Sequence, residues 1–156
     1  RGNRHNCTRS KENIMIKTFR GKLADQTITQ IRLSSNNGLT GYKIVKFQVV
    51  HENEADDLSA TVNIFTQKPA SNSAAINFDN PLLLACIAYR SNKSDTGLST
   101  TTVIFDNKIF NQDIFINYRD NESAGKTINY YIELEQVKLD LSEATVATLK
   151  DMRGRE

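Results

Sequence analysis

The side chains with which this chain could do chemistry are few. The two histidines are His5 and His51, and His51 is followed by Glu52, Glu54 and Asp56. One imidazole and two carboxylates would reach the three ligands a catalytic zinc takes, but the spacing matches no metal motif. The run Glu52-Asn53-Glu54-Ala55-Asp56-Asp57 offers oxygens to a hard cation. It lacks the Asp-x-Asn-x-Asp-Gly order of a calcium loop and reads as a solvated turn. A Ser-His-Asp set can assemble in space from any part of a chain, and Cys86 with His51 would make a nucleophile and base. No Gly-x-Ser-x-Gly elbow supports either idea. Glu133 and Glu135 sit two apart, about 6–7 Å between Cα atoms if the segment is extended. That separation suits glycosidic chemistry, yet such pairs come from different strands in a cleft. A solvated or subunit-facing strand explains them more simply. Gly125-Lys126-Thr127 ends like a phosphate loop, but Asp120 stands where the earlier glycine belongs and a strand follows instead of a helix. The expectation is therefore no enzyme, with no catalytic residue, metal or cofactor.

Cys7 and Cys86 are far apart in the sequence and read as free thiols, Cys86 within an apolar run. The triplets beginning at Asn6, Asn92 and Asn121 fit the glycosylation pattern but are no more than chance provides in a chain this rich in Asn, Ser and Thr. Net charge is +2, unevenly spread: residues 1–23 hold Arg1, Arg4, Arg9, Lys11, Lys17, Arg20 and Lys22 against Glu12 alone. A basic arm on a mildly acidic body attracts polyanions by counterion release, or is simply solvated. Residues 1–12 are expected to be a flexible arm, with Arg1, Arg4, Arg9 and Lys11 as its contacts to nucleic acid or to a neighbouring subunit. The start at Arg1 fits a mature or trimmed product. No signal peptide is read, because no long apolar stretch follows the basic start. The apolar run Pro81–Tyr89 is about half the length of a membrane span.

These residues must be positioned by strands. Alternating or β-branched runs occupy 14–18, 27–33, 42–50, 60–66, 101–105, 113–118 and 127–139. The run 82–89 fits a buried strand or, behind Pro81, a helix; its short length favours the strand. In 42–50, Tyr42, Val45, Phe47 and Val49 read as the buried set. In 127–139, Tyr130, Ile132 and Leu134 face one way and Tyr131, Glu133 and Glu135 the other, as in a strand with water on one side. Residues 119–126 read as a hairpin-type connection hinged at Gly125. The segment 141–152 changes to Ala, Leu, Glu and Lys, with Asp140 or Ser142 as cap, and reads as a helix with an apolar side of Leu141, Val146, Leu149 and Met152.

The fold expected is all-β: an antiparallel β-sandwich, best drawn as an eight-stranded jelly roll of two four-stranded sheets, with a short C-terminal helix. An immunoglobulin-like sandwich is the alternative, weakened because the chain has no Trp. The sandwich spans 13–139, and the helix and tail 140–156. Tyr131, Glu133, Glu135, Leu149 and Met152 are the candidate interface residues.

The segments Val103–Ile114, Asn129–Glu135 and Gly41–Phe47 resemble small virion proteins of marine viruses and phages, a likeness running over about residues 20–153. The resemblance implies a viral structural protein of the single jelly-roll capsid type, located in the virion. It implies copies of itself as partners in an icosahedral or related shell, and other virion proteins or genomic nucleic acid as further ones. Major coat, minor coat, decoration and spike roles stay open. The rival reading is a spike or lectin-like sandwich that binds carbohydrate or a receptor through exposed Tyr, Phe, Asn and Asp.

Overall fold

The computed structural model describes residues 13–35, 37–92, 98–105, 108–122 and 124–153, the last three by their backbone alone. Eight strands and one helix follow in order: β1 (Met15–Leu23), β2 (Ile28–Ile31), β3 (Thr40–His51), β4 (Leu58–Phe65), β5 (Leu83–Ser91), β6 (Leu98–Ile104), β7 (Ile114–Asp120), β8 (Ile128–Lys138) and α1 (Leu141–Arg153). All strand pairs are antiparallel. They form two sheets, ordered β1-β8-β3 and β2-β7-β4-β5-β6. The all-β sandwich with a terminal helix is thus present, but its sheets hold three and five strands rather than four each. The difference lies in β6, which folds back on β5 across a short connection instead of joining the three-stranded sheet.

The core lies between the sheets. β8 contributes Ile128, Ile132 and Leu134, β4 contributes Leu58, Val62 and Ile64, and β7 contributes Ile114, Ile116 and Tyr118, all fully buried. Burial of each large side chain is worth about 1.5–3 kcal/mol. The segment after Pro81 is a strand paired on both edges, by β4 and β6, and buried on both faces from Leu83 to Ile87. That double burial explains its unbroken apolar run.

Two expectations are corrected here. In β3 a bulge falls between Ile44 and Lys46, so the inward set is Tyr42, Ile44, Phe47 and Val49, while Val45 is 40% exposed. One extra residue moves every later side chain to the other face. The connection expected at 119–126 is not a hairpin, because β7 and β8 belong to different sheets. The crossing is built on buried Asp120, whose carboxylate accepts from the backbone N–H groups of Glu122 (2.9 Å), Ala124 (3.1 Å) and Lys126 (3.2 Å). Gly125 supplies the left-handed turn, at φ +69°.

α1 begins at a reciprocal cap. Asp140 Oδ1 accepts from Glu143 N (2.8 Å), and Glu143 Oε2 accepts from Asp140 N (3.0 Å). The helix docks through Ala144 and Ala147 against Leu139, Leu39 and Val137. Buried Asn111 fastens it, donating through Nδ2 to Ala144 O (3.3 Å), Thr148 Oγ1 (2.9 Å) and Gly38 O (3.1 Å).

Candidate functional site

The groups singled out for catalysis do not converge. Among the described residues, no three His, Cys, Asp or Glu side chains stand close enough to hold a metal ion. His51 is buried. Glu54, two positions past the start of the acidic run, turns inward: its Oε1 accepts from His51 N (3.1 Å) and from the Tyr89 hydroxyl (2.6 Å). Burial and that carboxylate push the Tyr89 phenol up to about 12. Glu52 pairs with Lys22 and accepts from Thr127, and Asp56 accepts from Asn53. Each carboxylate therefore has a separate neighbour. Cys86 is buried and unbridged, its thiol pushed up by desolvation. Lys126 donates to Asp57 O, so the Gly-Lys-Thr triplet is tied to the neighbouring loop.

Tyr131, Glu133 and Glu135 do come together, on the outer face of the three-stranded sheet. Glu133 lies opposite Thr18 and Lys46, and Glu135 opposite Ile16 and Lys43. Lys43 Nζ is 3.2 Å from Glu135 and Lys46 Nζ 3.9 Å from Glu133. The Tyr131 hydroxyl donates to Glu133 Oε1 (2.8 Å), which raises its pKa, and Lys46 sits 5.8 Å from the Tyr131 ring centre. The two carboxylates are neutralised side by side in an open, half-exposed ladder.

A second surface adjoins this sheet. α1 docks by its small residues and leaves the large ones outside: Leu141 is 76% exposed, Val146 51% and Leu149 49%. Met152 lies in the helix, its side chain outside the described residues. At the start of edge strand β1, Ile14, Met15 and Ile16 are also exposed. A shallow groove lined by Met15, Leu39 and Val137 meets another lined by Leu141 and Leu149, with Asn37 on the rim of both. Arg1, Arg4, Arg9 and Lys11 lie outside the described residues.

Sequence patterns did not point to the third feature, a strap of residues 66–82 laid across the outer face of the five-stranded sheet. Asn63 of β4 and Asn117 of β7, directly paired and each 1% exposed, hold it. Asn63 Nδ2 donates to Ala75 O (3.0 Å), and Asn117 Nδ2 to Ser73 O (2.9 Å). Asn72 on the strap returns the contact, donating to Asn117 Oδ1 (2.6 Å) and Tyr118 O (2.7 Å). The available signal was an amide flanked by apolar residues in mid-strand, in Val62-Asn63-Ile64 and Ile116-Asn117-Tyr118, where Asn is disfavoured unless it has a task. Under the strap lies a cavity of about 250 Å³.

Compared with known proteins, the chain matches no protein-family model and no curated sequence. Among the described residues, no helix is long and apolar enough to cross a membrane.

Proposed function

We propose that the chain is a non-enzymatic structural subunit that self-assembles into a virus shell, with the sandwich as its repeating brick. The observation that carries this reading is the inverted helix: α1 buries two alanines and presents Leu141, Val146 and Leu149 to solvent, beside the apolar start of β1. A contiguous apolar surface of that kind marks an interaction site. The strand winding supports the same reading. β1 pairs with β8, β2 with β7 and β4 with β5, as in a jelly roll, a fold common in capsid subunits. The lysine–glutamate ladder around Tyr131, Glu133 and Glu135 would supply register to a contact whose energy comes from the apolar strip. In the assembled shell, Arg1, Arg4, Arg9 and Lys11 would face the enclosed nucleic acid or clamp a neighbouring subunit.

Light scattering and electron microscopy of the purified chain over a range of salt and concentration test the proposal. Higher-order species are expected. They should be lost in Leu141→Asp/Leu149→Asp, a variant whose thermal unfolding stays close to that of the parent. A parent that is monomeric under every condition overturns the reading.

A further inference from the structure

We infer that the outer edge of β6 is a second contact between copies of this chain, at which two β6 strands pair antiparallel about a two-fold axis and join their five-stranded sheets into one. The contact is separate from the α1 surface and does not rest on the shell. A sheet edge presents a row of unpaired backbone N–H and C=O groups, and proteins blunt such edges with charges, bulges, short strands or covering segments. Three of the four edges here are blunted. β1 carries Lys17, Arg20 and Lys22, and β2 has only 4 residues. β3 has the bulge between Ile44 and Lys46 and a bridge from Tyr42 to Phe110. β6 has none of these devices. Its 7 residues hold no charge, Pro or Gly, and its register with β5 is unbroken. Leu98–Thr102 are exposed on both faces, and among the described residues no strand pairs with the outer edge.

The ladder to β5 fixes which groups point outward. Phe105 N–H donates to Leu84 O (3.0 Å), so by the alternation of an antiparallel pair Val103, Thr101 and Ser99 also turn their backbone groups to β5. Leu98, Thr100, Thr102 and Ile104 therefore aim theirs at the free edge. A two-fold axis at Thr101 opposes Leu98 to Ile104 of the second copy and Thr100 to its Thr102. Each such pair exchanges two hydrogen bonds, and every outward residue finds a partner. The same register sets Leu98, 65% exposed, beside the half-buried Ile104, on the side of the sheet that carries Ile87 and Tyr89. Threonine meets threonine between them. No like charges are opposed, which admits a second copy at β6, whereas the cations of β1 repel one there.

The test uses the full chain carrying Leu141→Asp/Leu149→Asp, in which the α1 surface is disabled. Sedimentation equilibrium should show a monomer–dimer equilibrium. Adding Thr102→Pro removes an outward N–H and leaves the ladder to β5 whole, so the circular dichroism spectrum should be kept and the dimer lost. In the same background, Thr101→Lys and Thr101→Glu each place like charges together at the two-fold axis. Native mass spectrometry of their equimolar mixture should show the mixed dimer above its statistical share. A Leu141→Asp/Leu149→Asp protein that is monomeric at every concentration overturns this inference, even where the parent forms shells. Dimers without shells overturn the shell and leave this contact standing. A dimer that persists in folded Thr102→Pro, or a mixed dimer no more abundant than chance, also overturns it.

Discussion

Single polar side chains fix the loops of this molecule. Asp120, itself fully buried, gathers three backbone N–H groups with no charged partner in the group, so Asp120→Ala takes the acceptor from three part-buried donors at once. A loss of about 2–4 kcal/mol is expected in urea unfolding. Asp113 does similar work for the segment after β2, accepting from Leu33 N (2.8 Å), Ser34 N (2.9 Å) and Gln30 Nε2 (2.7 Å). Desolvation pushes its carboxyl up, but those hydrogen bonds outweigh it and hold it below the ordinary range. A depressed folded value means the stabilisation is complete above the unfolded value of about 3.9 and is lost as pH falls through the folded one. Unfolding curves between about pH 5 and 2 should show a shallower acid loss for Asp113→Asn than for the parent. By contrast, Glu133→Gln touches a half-exposed ladder and should change stability by less than about 1 kcal/mol.

Elements were legible in the sequence where one periodicity governed them. β8 follows strict alternation, with Ile132 and Leu134 inside and Glu133 and Glu135 outside, because one of its faces meets the core and the other meets water. In β3 periodicity places Phe47 and Val49 correctly but sets Val45 inside in place of Ile44, because the bulge is an event between strands that periodicity within one strand cannot record. The same strand shows how tightly it is seated: a Cβ on Gly41 would stand 2.8 Å from Ile109 Cγ2 and 3.0 Å from Leu139 Cδ1. Gly41→Ala should therefore cost about 1–3 kcal/mol, read from thermal or urea denaturation. The limits of α1 were readable from its cap and composition. Its docking face was not, since the larger apolar residues were the natural choice for burial and the alanines took that place. Asp140→Ala removes the reciprocal cap and should cost about 1 kcal/mol by the same measurement.

At the scale of the whole molecule, the first strand pairs with the last and the second with the seventh. Such non-local pairing must close long loops before it gains contacts, so refolding in stopped-flow experiments is expected in milliseconds to seconds. Both termini of the sandwich thus lie in one sheet, beside α1 and the apolar start of β1, where the proposed contact between subunits is placed. The strap and its cavity occupy the outer face of the other sheet. The two surfaces can accordingly be altered separately by substitution.

By itself the amino-acid sequence determined the class of this protein, the approximate strands, the terminal helix and the outward position of Tyr131, Glu133 and Glu135. Those features follow from local alternation, capping and turn chemistry, which act over a few residues. Only the tertiary structure decided that β6 stays with β5, that Val45 points out, that α1 exposes its leucines, and that Asn63 and Asn117 tie a strap across a sheet. Each of these depends on which distant segments fill the space beside a residue, and competition for burial among segments far apart in the chain leaves no periodic trace in any one of them.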